Sequence, residues 1–195
     1  MGSNNVSFLE VGIFVIVVVL IITYFANQTV DVALVKSDID GRSYLVRNLP
    51  DRQKAADMLA RLNKVMIALV KHMQTKYGDN KDVRRLVRNF NPDNVSESSA
   101  SDAYTSYTTG KGEKLVFCLR AKDAKQTLLD LNLVVYVAIH ELGHLMTKEI
   151  GHTPTFWANN KLLLNEAIAL GLYHKIDFDK APADYCGLKI TTSIV

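Results

Sequence analysis

Cysteine is almost absent from this chain: Cys118 and Cys186 are the only two among 195 residues. They are too few and too widely spaced for a disulfide framework, and neither belongs to a CxxC pair, which excludes a zinc ribbon. One bridge stays open, but the expected state of each is a small buried apolar side chain with a free thiol. Proline and glycine number four and ten and form no linker-like tract. No segment repeats, which excludes a solenoid or an array. Neither sign of charge dominates: 23 Lys and Arg against 20 Asp and Glu give +3, too little for a dedicated nucleic-acid binder. With 48% apolar and 22% charged residues, the chain has the composition of one domain with a real core, and not of a disordered tail or a fibre.

Charge is missing altogether from residues 11–26. Extended back to Phe8, the run is interrupted only by Glu10 and rises about 28 Å as a helix, comparable with a hydrocarbon core of about 30 Å. It reads as a transmembrane anchor over 8–26 behind a short tail, 1–7. No Lys or Arg precedes the run, and Tyr24 stands where signal cleavage wants a small residue, so a cleaved signal peptide fits less well. Lys36, Arg42 and Arg47 follow it. The positive-inside rule then predicts a single-pass membrane protein, in contact with the bilayer through 8–26, with its C-terminal domain on the cytosolic side.

Beyond the run, Ala33–Ile39 and Ser43–Arg47 flank Asp40-Gly41, a hairpin signal. A helix follows from Pro50-Asp51 to about Tyr77, with Ala55, Met58, Leu59, Leu62, Met66, Leu69, Val70 and Met73 on one stripe and Gly78 as the stop. Between Asp51 and Phe90 lie Arg52, Lys54, Arg61, Lys64, Lys71, Lys76, Lys81, Arg84, Arg85 and Arg88, a basic face able to meet nucleic-acid phosphates or anionic lipid but more commonly just solvated. His72 on this helix has no assigned role. A second short helix ends at Asn91-Pro92, and the Ser-rich stretch Asn94–Asp102 reads as a loop. Ala103–Thr109 and Glu113–Leu119 then flank Gly110-Lys111-Gly112, a second hairpin.

The chemistry is carried by His140-Glu141-Leu142-Gly143-His144, which ends an apolar run from Leu128 to Ile139 with the look of a buried helix. Positions i and i+4 share a helix face, so both imidazoles can reach one Zn²⁺ while Glu141 is left to handle water. Catalytic zinc needs a third protein ligand. Two candidates follow: His152, just after Gly151, and Glu166 on the next helix pattern. If Glu166 is not a ligand, it would orient a ligating histidine. Tyr173, His174 and Tyr185 are candidate oxyanion donors. Phe156 and Trp157 read as core packing beneath the metal helix.

His140–His144, Gly151-His152-Thr153-Pro154-Thr155-Phe156-Trp157, Asn165-Glu166-Ala167 and Tyr185-Cys186-Gly187 together resemble the WLM and SprT-like zinc metallopeptidases. Within these the chain is most similar to WLM-like predicted peptidases of large DNA viruses and some algae. The resemblance covers roughly residues 30–195 in order of elements, with His140–Trp157 as its specific motif. It implies an α+β, zincin-like domain over 27–195 in which the HExxH helix packs on a small antiparallel sheet. It also implies Zn²⁺ as cofactor, the histidine before Phe-Trp, here His152, as third ligand, and Glu141 as general base. The seven residues between His144 and His152 exceed the WLM spacing and fall short of many SprT-like ones. Thermolysin-like gluzincins carry an Asn-Glu on a later helix, which Asn165 and Glu166 match, so Glu166 remains the alternative ligand.

The expected activity is peptide-bond hydrolysis. Glu141 takes the proton of a zinc-activated water and passes it to the leaving amine. A polypeptide substrate would add as a strand to the edge formed by Lys114, Leu115, Val116, Phe117, Cys118 and Leu119. Two rival readings are non-catalytic. One is a membrane-anchored structural protein of a virion, bound to viral capsid proteins; the other is a membrane-tethered adaptor using the basic helix.

Overall fold

The computed structural model describes residues 8–26, 31–100, 102 and 105–195, and the chain divides into two units at Asp31. The first unit holds one helix, α1 (Phe8–Ala26). Among the described residues no helix is long and apolar enough to cross a membrane. The expected transmembrane anchor and the single-pass location are therefore corrected. Glu10 sits in the first turn of α1, and the uncharged remainder, residues 11–26, rises only about 24 Å against a hydrocarbon core of about 30 Å. The expected tail 1–7 lies outside the described residues.

The second unit starts with the predicted hairpin. β1 (Val32–Lys36) pairs antiparallel with β2 (Ser43–Arg47), and the turn between them uses Gly41 at φ +74°. The long helix α2 (Arg52–Tyr77) follows. Its stripe Leu59, Leu62, Met66, Leu69 and Met73 is fully buried, each side chain contributing about 1.5–3 kcal/mol of burial. Asn80 caps the next helix, α3 (Lys81–Asn89), by accepting from the Asp82 and Val83 N–H groups. Most of the basic side chains between 52 and 88 are exposed, but several are engaged: Lys64 donates to the Ile39 carbonyl and Arg85 to the Met146 carbonyl.

Helices α2 and α3 carry the chain from β2 to β3 (Val95–Glu97), which lies parallel to β2. β4 (Tyr107–Thr109) and β5 (Lys114–Phe117) form the second hairpin. Because β5 also pairs parallel with β3, the sheet order is β1-β2-β3-β5-β4. The sheet is thus mixed, not the antiparallel one expected. A strand also replaces the loop expected from residue 94. Its Glu97 is buried, accepting from the Arg47 N–H at 2.7 Å and pairing with Arg120 Nε at 2.7 Å. A buried carboxylate with two such donors breaks the apolar alternation by which a strand is read.

α4 (Leu131–Met146) packs on α2, α3 and α5 (Pro154–Ala169) and lies against β4 and β5. A two-stranded hairpin, β6 (Ala183–Tyr185) and β7 (Leu188–Ile190), completes the unit. Cys118, just past β5, is bonded to Cys186 in the β6–β7 turn. The expected free thiols are corrected: the fold brings the two Cα atoms to 6.4 Å, within bridging distance.

Candidate metal centre and its cleft

α4 is built to present its C-terminal half. Asp130 accepts from the Asn132 and Leu133 N–H groups at its start. Leu133, Val134, Val135, Ala138, Ile139, Leu142 and Leu145 are buried, leaving the face of His140 and His144 toward the next loop. Thr147 N–H closes the helix on the Gly143 carbonyl at 3.0 Å. The loop then turns through Gly151 at φ +84° and delivers His152. Thr153 caps α5 by accepting from the Phe156 N–H, with Pro154 in the first turn, a start that places Phe156 one turn into α5. Phe156 packs against all three imidazoles, with ring centroids 4.3 Å from His144, 4.8 Å from His152 and 4.9 Å from His140. Gly143 suits this close packing, since a Cβ there would lie 3.1 Å from Phe156 Cε2 and press the ring outward by a few tenths of an ångström.

His140, His144 and His152 each offer a ring nitrogen, and these atoms lie within 4.8 Å of one another. His140 Nε2 and His152 Nε2 are 3.0 Å apart. Burial, and after it the neighbouring imidazoles, push the His140 pKa down to about 3. Burial, His152 and Lys111 push His144 down to about 4. Both rings are therefore neutral at physiological pH, the state in which imidazole is a metal ligand. The donor set fits a divalent borderline metal, and the cluster could hold one. Glu141 is 5% exposed, and burial pushes its carboxyl up to about 7.

Two clefts meet at this cluster. One, of about 790 Å³, is lined by His140, Glu141, Tyr136, Trp157, Leu188 and Ile190 among others. The second, of about 530 Å³, runs along Tyr107, Thr108 and Lys111 to Ile150 and His152. Ile150 is 91% exposed and Trp157 42%, so Trp157 is a cleft wall and not the core residue expected; Phe156 alone is buried there. Neither Ile150 nor Lys111 is singled out by sequence reasoning, although the unusual Gly110-Lys111-Gly112 turn marks the latter.

The remaining candidates fall elsewhere. Glu166 accepts from Lys76 Nζ at 2.8 and 2.9 Å and from Tyr77 Oη at 2.6 Å, and lies 2.6 Å from His72 Nε2. Lys76 and Tyr77, with His72, hold its pKa down to about 2. It is a staple between α5 and α2, its two oxygens occupied by donors from α2, and it lies outside the histidine cluster. The Tyr173 hydroxyl accepts from the Ile176 N–H, and the His174 backbone pairs with Asn132 at the opposite end of α4. Both lie away from the histidine cluster. Tyr185 does line the large cleft, but its hydroxyl donates to the Cys118 carbonyl at 2.9 Å and meets Ser106 Oγ at 2.6 Å. The expected edge Lys114–Leu119 is also corrected: Lys114–Phe117 form the interior strand β5, and β4 is the edge beside the cluster.

The fold and site define an α+β chain whose HExxH helix and following loop bring three histidines together. The chain belongs to the family of an uncharacterized protein of Acanthamoeba polyphaga mimivirus, with which it is 31% identical over 191 residues, 96% of either chain. It is also 41% identical over 69 residues to a protein of invertebrate iridescent virus 3, covering 35% of this chain and 42% of that one. Over 80 residues it is 31% identical to a protein of invertebrate iridescent virus 6, covering 40% and 44%. These relatives are viral proteins. No protein-family model matches the chain. Among solved structures it is similar to Wss1 of Saccharomyces cerevisiae, with a TM-score of 0.48 and 16% identity over 65% of this chain and 88% of that one. For a Wss1 mutant of S. pombe the TM-score is 0.41, with 22% identity over 63% and 92%.

Proposed function

We propose that residues 32–195 form a zinc-dependent metallopeptidase domain of the WLM-like zincin type. The observation that carries this reading is the convergence of three imidazoles beside a buried carboxyl at the meeting of two clefts. His140, His144 and His152 would hold the ion. Zinc bound by three such groups acts as a Lewis acid toward a carbonyl and acidifies water. Glu141, with its pKa moved to about 7 by burial, is matched to taking a proton from the attacking water at neutral pH and returning it to the departing amine.

The edge strand supplies the polarity of the substrate. β4 is the last strand in the sheet order and pairs with β5. Thr105, just before it, borders the large cleft, Ser106 borders both, and Tyr107, Thr108, Gly110 and Lys111 border the smaller one. A polypeptide added antiparallel to β4 runs from the Ile150 side toward the Trp157 side. Residues after the scissile bond then enter the 790 Å³ cleft, whose walls are mainly apolar.

The test is zinc analysis with a protease assay of the full chain and of Glu141→Gln. The expected outcome is one zinc per chain in both proteins, with peptide hydrolysis reduced by roughly 10³-fold or more in the variant. Zinc bound without hydrolysis in the parent chain would reassign the site to a structural role.

A further inference from the structure

An α-helix leaves its last four carbonyls without intrahelical donors. At the end of α4 the Gly143 carbonyl is taken by Thr147 N–H at 3.0 Å, and the others are taken by side chains from other elements. Asn89 Nδ2 donates to the Leu145 carbonyl at 3.1 Å and Arg85 Nη1 to the Met146 carbonyl at 2.8 Å. Lys111 Nζ lies 3.4 Å from the His144 carbonyl, 2.9 Å from that of Thr147 and 3.2 Å from that of Glu149. Asn89 and Arg85 stop at the helix. Lys111 goes on into the loop that delivers His152.

The backbone of Lys111 points to the same role. Its φ is +56°, between Gly110 at +55° and Gly112 at +114°, a left-handed turn that a lysine holds only when its surroundings impose it. Gly112 is needed beside it, because a Cβ there would lie 1.9 Å from the Asn89 carbonyl oxygen. The turn also joins β4, the edge strand, to β5. One residue therefore touches the end of the metal helix, the loop of the third histidine and the strand along the cleft.

We propose that Lys111 is a positioning residue. Its ammonium, bridging the carbonyls of His144, Thr147 and Glu149, fixes the 147–152 loop so that His152 stays beside His140 and His144, and locks that loop to the edge strand. A cation at a helix C-terminus is also favoured by the aligned peptide dipoles. The proposal rests on the metal reading above for its consequence, and on the hydrogen bonds for its cause.

The test uses the full chain with Lys111→Met, Lys111→Arg, His152→Ala and Asn89→Ala. Zinc affinity is measured by competition with a chromophoric chelator, the ligand field by the visible spectrum of the cobalt-loaded protein, and the loop by amide hydrogen exchange without metal. Lys111→Met is expected to bind zinc about tenfold or more weakly. Its cobalt spectrum should shift toward that of His152→Ala, and residues 148–152 should exchange faster even without metal. Lys111→Arg should recover part of each loss. Asn89→Ala, which frees a helix carbonyl but not the loop, should melt earlier with zinc affinity unchanged within about twofold. Should Lys111→Met fail to fold, Lys111→Gln, which keeps a donor, carries the same comparison. Unchanged affinity and unchanged exchange in the Lys111 variant would overturn the proposal. A parent chain that takes up no zinc would instead overturn the metal reading, while the exchange data still decide whether Lys111 holds the loop.

Discussion

Helix α5 has a histidine-containing cluster at each end, and the two differ in what their acid does. At its start, His152 meets His140 and His144, and the nearby Glu141 is buried with its pKa pushed up to about 7. Near its end, Glu166 is surrounded by Lys76, Tyr77 and His72, with its pKa held down to about 2. The second cluster is electrostatically closed: donors from α2 occupy the carboxylate, so a cation would have to displace them. The first is open, because ring nitrogens of its three histidines face one another, 3.0 Å apart for His140 and His152. Residue types alone do not separate a ligand set from a staple; the supply of donors around them does.

Substitutions should split the two clusters cleanly. The largest effect is expected from His144→Ala, which leaves two imidazoles and should weaken zinc binding by about 10³-fold or more in a chelator competition. It should also remove the rise in melting temperature that saturating zinc gives the parent chain. Glu166→Gln should do the reverse. Zinc affinity stays within about twofold, while denaturant unfolding at neutral pH shows a loss of about 2 kcal/mol, discounted for the half-exposed Lys76. A large loss of zinc in Glu166→Gln would erase the distinction.

The metal helix, the first hairpin, the long helix α2 and the histidine pair were all legible in the sequence, because each rests on local signals. Those signals are i and i+4 spacing, an Asp-Gly turn and a 3.6-residue stripe. What stayed hidden depends on partners distant in the chain. β3 could not be read because Glu97 is buried only by virtue of Arg120 and the Arg47 N–H. β5 looked like an edge because its apolar residues fit any strand, and its second neighbour is β3, which itself reads as a loop. The staple formed by Glu166 stayed hidden because Asn165-Glu166 suits a metal site, while its donors stand about ninety positions earlier. The apolar run of α1 was overvalued because Glu10 was counted as an interruption and not as the end of the span.

The smallest effect, and the sharpest test of the comparison, is the pH dependence of stability in the metal-free protein. Glu166 ionises at about 2 in the folded chain, below its unfolded value of roughly 4.3. The folded state therefore favours the carboxylate. The stability it contributes is complete above pH 4.5 and is lost as pH falls toward 2. Glu141 has the opposite sign: a folded value of about 7 means that the protonated form is favoured by burial. Its stability contribution is complete below pH 4 and is lost as pH rises through 7. Each slope is bounded at about 1.4 kcal/mol per pH unit for one proton. Subtracting Glu166→Gln from the parent should leave a difference that grows between pH 2 and 4.5, and subtracting Glu141→Gln one that falls between pH 4.5 and 7. Parallel curves for the two variants would mean that the carboxyls share one kind of environment, and the open and closed ends of α5 would no longer be distinct.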